Sequence, residues 1–382
     1  MNDSSVAITA STPGVADHIE HLVELVLAAG GSVHPRARFV EQDGELSVHL
    51  DGDPADLPLL VVPESLLVPV DGIDWDPDPG RITVRSGGGD LSDVQWSALE
   101  AMLGLYEATG KPAWAQRSLP GCSLPEDPVA LAAVTEVRPG FGSRGSSVAE
   151  VFMDSRVFRH RPEADGGSQL VLMPLVDLVD HHRGGAPLLV RNGAMTIGAV
   201  RATGATACSV SYGPRRSPLS MALHFGFVDH SSVHAPSVGF SVDAAASPIG
   251  VSIVVEGRQL RARSAFDPPD LDLGAEGIRL SHLTFDVEHP GRLPAVVALG
   301  FAGVARRSGI AIPEPEVTSR WLLVEAAQRN AAALDGIVGA LDAPRGLDQG
   351  PGGLAPPPSW AVVSEAARLQ RSLITAAVST AS

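Results

Sequence analysis

Two stretches, Leu170 to Val190 (LVLMPLVDLVDHHRGGAPLLV) and Ser209 to Asp229 (SVSYGPRRSPLSMALHFGFVD), decide how the rest of the chain is read. The apolar run from Leu170 to Val176 predicts a buried strand, and it leads without a break into Asp177, Asp180, His181 and His182. Polar groups attached to the end of a buried strand are carried to a defined place, because burial of the apolar side chains holds the strand still. Alternation from Leu188 to Val200 predicts a short hairpin. A glycine-containing turn then leads to a second β-prone run, Ser209 to Tyr212, which Gly213-Pro214 stops. Tyr212 is thereby placed at a strand end.

At these residues the chain resembles the SET-domain methyltransferases of the RuBisCO large-subunit lysine methyltransferase type, the subgroup that also contains the actin-histidine methyltransferase. That family carries P-x-x-D-x-x-N-H, then I-S-Y-G-P-x-x-N, then L-L-x-x-Y-G-F-V. The matching positions here are Pro174, Asp177, His181, Ser211, Tyr212, Gly213, Pro214, Gly226, Phe227 and Val228. Ser155-Arg156-Val157-Phe158 is similar to the S-R-x-F that precedes the first of these segments. Three positions depart from the pattern: Asp180 stands where the family has Asn, Phe225 where it usually has Tyr, and Arg215-Arg216-Ser217-Pro218 lacks the family's second Asn. The family's G-x-G, whose backbone lies against S-adenosylmethionine, is also missing; the corresponding segment, Glu41 to Pro63, holds only the isolated Gly44 and Gly52.

The resemblance implies an α+β fold. A β-rich SET core built from 1–92 and 169–236 would be split by a helical insertion, 93–168, and followed by a substrate-binding-like domain, 237–382, helical toward its end. It further implies Tyr212 as the catalytic residue, with Asp180, His181 and Arg156 binding the cofactor S-adenosylmethionine, and Asp177, Phe225 and His182 facing the substrate. The methyl acceptor would be a protein Lys or His, or a small nitrogen nucleophile.

Composition bounds the remaining possibilities. With 382 residues, of which 44% are hydrophobic and 19% charged, the chain can bury a sizeable core. A formal charge of -16 opposes binding to a phosphate backbone, which draws its affinity from clustered Lys and Arg, but leaves basic peptides as partners. No apolar run is long enough to span a membrane, and Met1 to Gly14 is polar rather than basic then apolar, so a cytoplasmic location is expected. Cys122 and Cys208 sit in unrelated contexts and suggest neither a disulfide framework nor a metal knuckle. Lys111 is the only lysine, and arginine carries nearly all the positive charge among abundant Ala, Gly and Pro, a bias of high-GC bacterial genomes.

In chain order, Ala16 to Ala29 has helical period, and Ala37 to Val40 with Leu46 to Leu50 predicts a hairpin turning at Asp43-Gly44. Leu59 to Val70 reads as strand, Val94 to Ala108 as helix, and Val148 to Phe158 as a further helix. Gly140 to Gly145 matches G-x-G-x-x-G, but Pro139 and the Pro162 to Gly167 loop deny it the strand-helix-strand setting of a dinucleotide site, so a surface loop is expected. Short strands are expected at Ser237 to Val242, Gly250 to Val255, Gln259 to Ser264 and Leu283 to Val287, with a loop at Pro268 to Asp272. Long helices follow at Ser319 to Leu341 and Trp360 to Val378, separated by a linker, Pro344 to Pro358.

Methyl transfer needs a neutral nitrogen lone pair in line with the sulfonium methyl, so positioning and exclusion of water do much of the work. A tyrosine hydroxyl such as that of Tyr212 can orient the nucleophile and accept weak C–H···O contacts; otherwise it satisfies a backbone group in the core. Asp180 can accept from the cofactor's ammonium but cannot donate to its carboxylate as Asn does. Arg156 suits either a bound carboxylate or a helix end. Asp177, His181, His182, His224, His230 and His234 form no tight ligand framework, so no metal is expected. Two further readings remain open: a SET-derived enzyme of bacterial secondary metabolism that no longer uses S-adenosylmethionine, and an inert binding protein that keeps the fold.

Overall fold

The structure is a computed structural model that describes residues 6–52, 56–142, 147–162, 167–200, 207–212, 217–257, 268–343 and 357–381. Gly213 to Arg216, the strand expected at Gln259 to Ser264, the end of the GFGSRG segment and nearly all of the Pro344 to Pro358 linker lie outside the described residues. The fold is α+β. It divides into two compact units, Met1–Cys122 with Ser146–Pro214, and Ser123–Gly145 with Arg215–Ser382. Each has its own apolar core. Among the described residues no helix is long and apolar enough to cross a membrane.

The first unit begins with a helix, Val15–Ala28, that buries Val15, Ile19, Leu22, Val23 and Val26, one face of a 3.6-residue period. It packs on the helix Asp93–Ala108, whose start is fixed by a capping box between Ser92 and Gln95. Gly104 leaves room for the His18 ring, which a Cβ there would approach to 2.3 Å. The hairpin Ala37–Gln42 and Glu45–Leu50 turns at Asp43 and Gly44, both with positive φ (54° and 83°), as its two-residue loop requires. The strand Ala7–Ala10 adds to it in parallel.

The central sheet of this unit has the order Ser209–Ser211, Asp180–Arg191, Ala194–Ile197, Leu60–Val62, Ser32–Val33. A second sheet places Gln169–Leu172 between Val68–Pro69 and Phe158–His160. Two expectations need correction here. The strand expected over Leu170 to Val176 stops at Leu172, because Pro174 has no N–H to pair and Leu175 adopts a positive φ of 66°; Asp177 therefore sits in a 3-10 turn, Val176–Leu178. The helix expected through Phe158 ends at Asp154: Ser155 Oγ donates to Phe152 O at 2.6 Å, and Phe158 joins a strand instead.

In the second unit, Phe240–Val242, Ile253–Val255, Gly277–Ser281 and Asp270–Gly274 form one sheet in that order, and His234–Pro236 pairs with Thr284–Asp286. Helices Pro128–Val137, Pro218–Phe225, Arg292–Ser308, Pro315–Asp342 and Pro358–Ala381 complete it. The expected loop at Pro268 to Asp272 becomes strand from Asp270, since pairing with Gly277–Ser281 outweighs the poor β propensity of Asp. Nothing in the sequence reading anticipates the helix Arg292–Ser308, whose glycines resemble loop signals. Gly300 instead lets Leu271 approach, with an added Cβ only 2.5 Å from its Cδ1. Asn330 is fully buried and donates to Ala326 O and Ser237 Oγ while accepting from Val238 N, which ties the helix Pro315–Asp342 to the segment before Phe240.

Glu41 gives the first unit a measurable pH dependence. Its carboxylate is buried, yet it accepts from the backbone N–H groups of Gly44, Thr12 and Ser11 and from the Thr12 hydroxyl. Burial alone would raise its pKa; the hydrogen bonds outweigh that and hold it at about 2, against an ordinary 4.5. A depressed acid contributes stability that is complete above its unfolded pKa and is lost as pH falls through the folded value. Glu41→Gln is therefore expected to lower the urea midpoint at pH 7, with the gap to the parent protein closing between pH 4.5 and 2. A gap constant with pH would refute this role.

Candidate functional site

The geometry of the site starts from a bulge. Along the strand Asp180–Arg191, Asp180 and His181 pair with Ser209 and Val210, and Ala186 then pairs with Val210 again, so His182 to Gly185 are extruded from the ladder. Gly185 permits this, because a Cβ there would meet Ser209 O at 2.7 Å and His182 O at 2.9 Å. The bulge sends His181 and His182 to different surroundings. His181 is half-buried: its Nδ1 accepts the Tyr212 N–H at 3.2 Å, and its ring stacks on Tyr212 at 5.0 Å. His182 is exposed, and its Nδ1 accepts the Gly184 N–H at 3.0 Å.

Tyr212 follows immediately after the strand Ser209–Ser211. Its hydroxyl donates to Val179 O at 3.3 Å, and Phe158 meets its ring edge-on at 6.3 Å. Stacking, the backbone bond to His181 and this hydroxyl bond together fix the phenol in orientation.

Beside it lies a second polar group around Asp177. The Tyr106 hydroxyl donates to Asp177 Oδ2, and Arg156 Nε stands 3.5 Å from the same oxygen. The Arg156 guanidinium lies over the Phe152 ring at 3.5 Å and within 5.9 Å of Tyr106 and 5.8 Å of Trp114. Its Nη1 also donates to Phe152 O at 3.3 Å, so Arg156 caps the helix Val148–Asp154 as well as facing Asp177. Nearby, the Lys111 ammonium lies 5.5 Å over Trp114 and 3.8 Å from Glu45 Oε2.

Burial governs the electrostatics. It pushes the Asp177 carboxyl up, against the pull of Arg156, Tyr106 and Lys111. It pushes the Tyr106 phenol well above its usual range, reinforced by the Asp177 charge. It pulls Lys111 down, although Glu45 opposes the shift. Asp180 opens to solvent on one side, but desolvation on the other and the Glu45 carboxylate raise its pKa, with His49 and Lys111 acting against them. Cys208 is buried and its thiol is pushed up to about 11, which leaves it too weakly acidic to serve as a nucleophile.

The structure thus brings Arg156, Asp177, Asp180, His181 and Tyr212 into one neighbourhood. Phe225 ends the helix Pro218–Phe225 in the second unit, against His224 at 4.5 Å and Phe227 at 6.1 Å. Sequence reasoning missed Tyr106, Lys111, Trp114, Glu45 and His49. One signal was available: the chain has two tyrosines and one lysine, and all three fall in this neighbourhood.

No protein-family model matches the sequence, and no curated protein matches it. Among solved structures, the chain is similar to the SET domain of LSMT bound to lysine and AdoHcy, with 12% identity and a TM-score of 0.37 over 95% of this chain and 91% of that one. It is similar to the same domain bound to methyllysine and AdoHcy, with 13% identity and a TM-score of 0.38 over 95% and 91%. Rubisco LSMT bound to AdoMet is similar with 14% identity and a TM-score of 0.39 over 95% and 92%.

Because Lys111 is the only lysine, labelling lysine with 13C yields one side-chain signal whose titration reports on this site alone. Its midpoint is expected below the ordinary 10.5, and Asp180→Asn, which removes a carboxylate that favours the ammonium, is expected to lower it further. A midpoint at 10.5 or above would show that the neighbouring carboxylates, not burial, govern the lysine.

Proposed function

We propose that the first unit binds S-adenosylmethionine and directs its methyl group to a nitrogen nucleophile, as a divergent SET-type methyltransferase. The observation that carries this reading is the meeting of Arg156, Asp177, His181 and Tyr212, residues of three separate motif segments, with Phe152 packed on Arg156 and Phe158 on Tyr212. One buried polar atom in this neighbourhood, His49 Nδ1, lacks a hydrogen-bond partner among the described residues, as expected where a polar ligand completes the site.

The charges present fit the cofactor. Asp180 and Glu45 can face its ammonium and sulfonium, and Lys111 and Arg156 can face its carboxylate, which supplies the donor that Asp180 cannot. When bound, the cofactor supplies an electrophilic methyl group. The chain's own residues orient and desolvate the acceptor nitrogen. The Tyr212 hydroxyl, its proton directed at Val179 O, turns oxygen lone pairs outward as an acceptor, and the Phe152, Phe158 and Trp114 rings keep water from the apolar side. Asp177 holds Tyr106 and Arg156 in place beneath the site. The acceptor is a protein Lys or His, or a small amine.

A second reading is favoured by one feature. A lysine whose pKa burial lowers, with two tyrosines and raised carboxyls beside it, is suited to acid–base or amine chemistry on a small metabolite without S-adenosylmethionine.

Isothermal titration with S-adenosylmethionine distinguishes the two. Binding is expected; Asp180→Asn preserves or tightens it, and Lys111→Met weakens it by about tenfold, the loss of one charge-assisted contact. Tyr212→Phe is expected to leave affinity within about twofold while reducing transfer of labelled methyl groups into a bacterial extract by about a hundredfold. Absence of binding by both the parent protein and Asp180→Asn would end the methyltransferase reading and leave the second.

A further inference from the structure

In the second unit, three potential metal ligands converge where a strand ends, with a fourth beside one of them on the paired strand. His234 and Asp286 are cross-strand partners in the pairing of His234–Pro236 with Thr284–Asp286, so the backbone sets their proximity. Asp286 Oδ1 accepts the N–H groups of Glu288 at 2.9 Å and His289 at 3.3 Å, which folds the following turn back over the carboxylate. The other oxygen, Oδ2, then lies 3.3 Å from His289 Nδ1 and 4.0 Å from His234 Nδ1. Ligand atoms of Asp286, Glu288 and His289 all lie within 4.8 Å of one another.

We propose that His234, Asp286, Glu288 and His289 form a binding site for a zinc-class divalent cation. Two imidazole nitrogens and two carboxylates are a donor set suited to zinc rather than to magnesium or calcium, which favour oxygen alone. At the usual zinc–ligand lengths, neighbouring ligand atoms of a tetrahedral site are separated by roughly 3.4 Å. The His289–Asp286 separation of 3.3 Å meets that spacing, and the His234–Asp286 separation of 4.0 Å lies slightly outside it, so His234 must draw inward to join the other three.

The surroundings favour a cation as well. With both imidazoles neutral, Asp286 and Glu288 leave two negative charges, which a dication balances. The Asp286 side chain is only 13% exposed, and the carboxylate also borders a cavity of about 30 Å³ walled by Phe285, Leu293, Leu323 and Val378. That flank offers little water to the charge, so a positive partner gains weight there. Arg320 borders the same cavity, with its Nε directed to Glu316 O at 3.4 Å. The anchoring of Oδ1 by main-chain amides serves as the outer support that orients a ligating carboxylate. Asp286, Glu288 and His289 carry no sequence motif, and His234 meets Asp286 only through the strand pairing.

The test is titration of the full, chelator-treated chain with Zn²⁺ alone. One site is expected, with an affinity that His289→Gln and Asp286→Asn each reduce at least tenfold. His230→Ala is expected to change nothing, since that exposed histidine pairs with Glu365 at 3.2 Å instead. Circular dichroism establishes that each variant is folded; His289→Gln, on a half-exposed side chain, carries the test if Asp286→Asn does not fold. No saturable Zn²⁺ binding, or binding that His289→Gln leaves unchanged, overturns the proposal.

Discussion

A single close approach, between Gly185 and the Ser209 carbonyl, sets the geometry on which the first unit's polar cluster depends. A Cβ at that position would meet Ser209 O at 2.7 Å and His182 O at 2.9 Å, so the bulge or the strand Ser209–Ser211 paired with Asp180–Arg191 would have to shift. The pairing keeps His181 in place to receive the Tyr212 N–H and to stack on its ring. Without it, Tyr212 would be one exposed residue at the end of an isolated three-residue strand. A residue chosen for what it lacks thus controls where a phenol points.

Desolvation is the second organising force. It moves Asp177 and Asp180 up and Lys111 down, each toward its neutral form. Taking an Arg–Asp pair out of water costs about as much as the attraction returns, so the Arg156–Asp177 pair is poorly explained as a source of stability. Its value lies in position: the guanidinium, held on Phe152 and bonded to the end of its own helix, keeps Asp177 and through it Tyr106 in register with Tyr212. Shifted groups gathered beside apolar rings are the pattern expected of a site that handles protons or charge.

The second unit solves a different problem. Its long helices bury apolar faces, yet polar side chains fix their placement: Asn330 meets both a backbone N–H and a hydroxyl, and Ser123 pairs with Ser359 at 2.7 Å. An unsatisfied polar group in such a core costs about 1 to 3 kcal/mol, so each of these bonds discriminates against sliding of the helix by a turn. Near the surface, the Asp286 turn applies the same economy to a carboxylate, with one oxygen committed to the backbone and the other presented to two histidines.

Periodicity and turn chemistry were legible in the sequence because they are local. The apolar stripe of the helix Val15–Ala28, the Asp43-Gly44 hairpin, the two C-terminal helices and the position of Tyr212 at a strand end follow from neighbours a few residues apart. The helix Arg292–Ser308 was not legible, since its glycines read as breaks until Leu271 packs against them. Nor was the strand from Asp270, which only its partner stabilises. In the site, the motif residues named Arg156, Asp177, Asp180, His181 and Tyr212, but Tyr106, Lys111 and Glu45 carry no motif and became visible only by contact. Local sequence determines which segments form elements and which carry reactive groups. Tertiary structure alone decided which charges share a desolvated space, because burial and Coulomb interaction depend on distance through the fold and not along the chain.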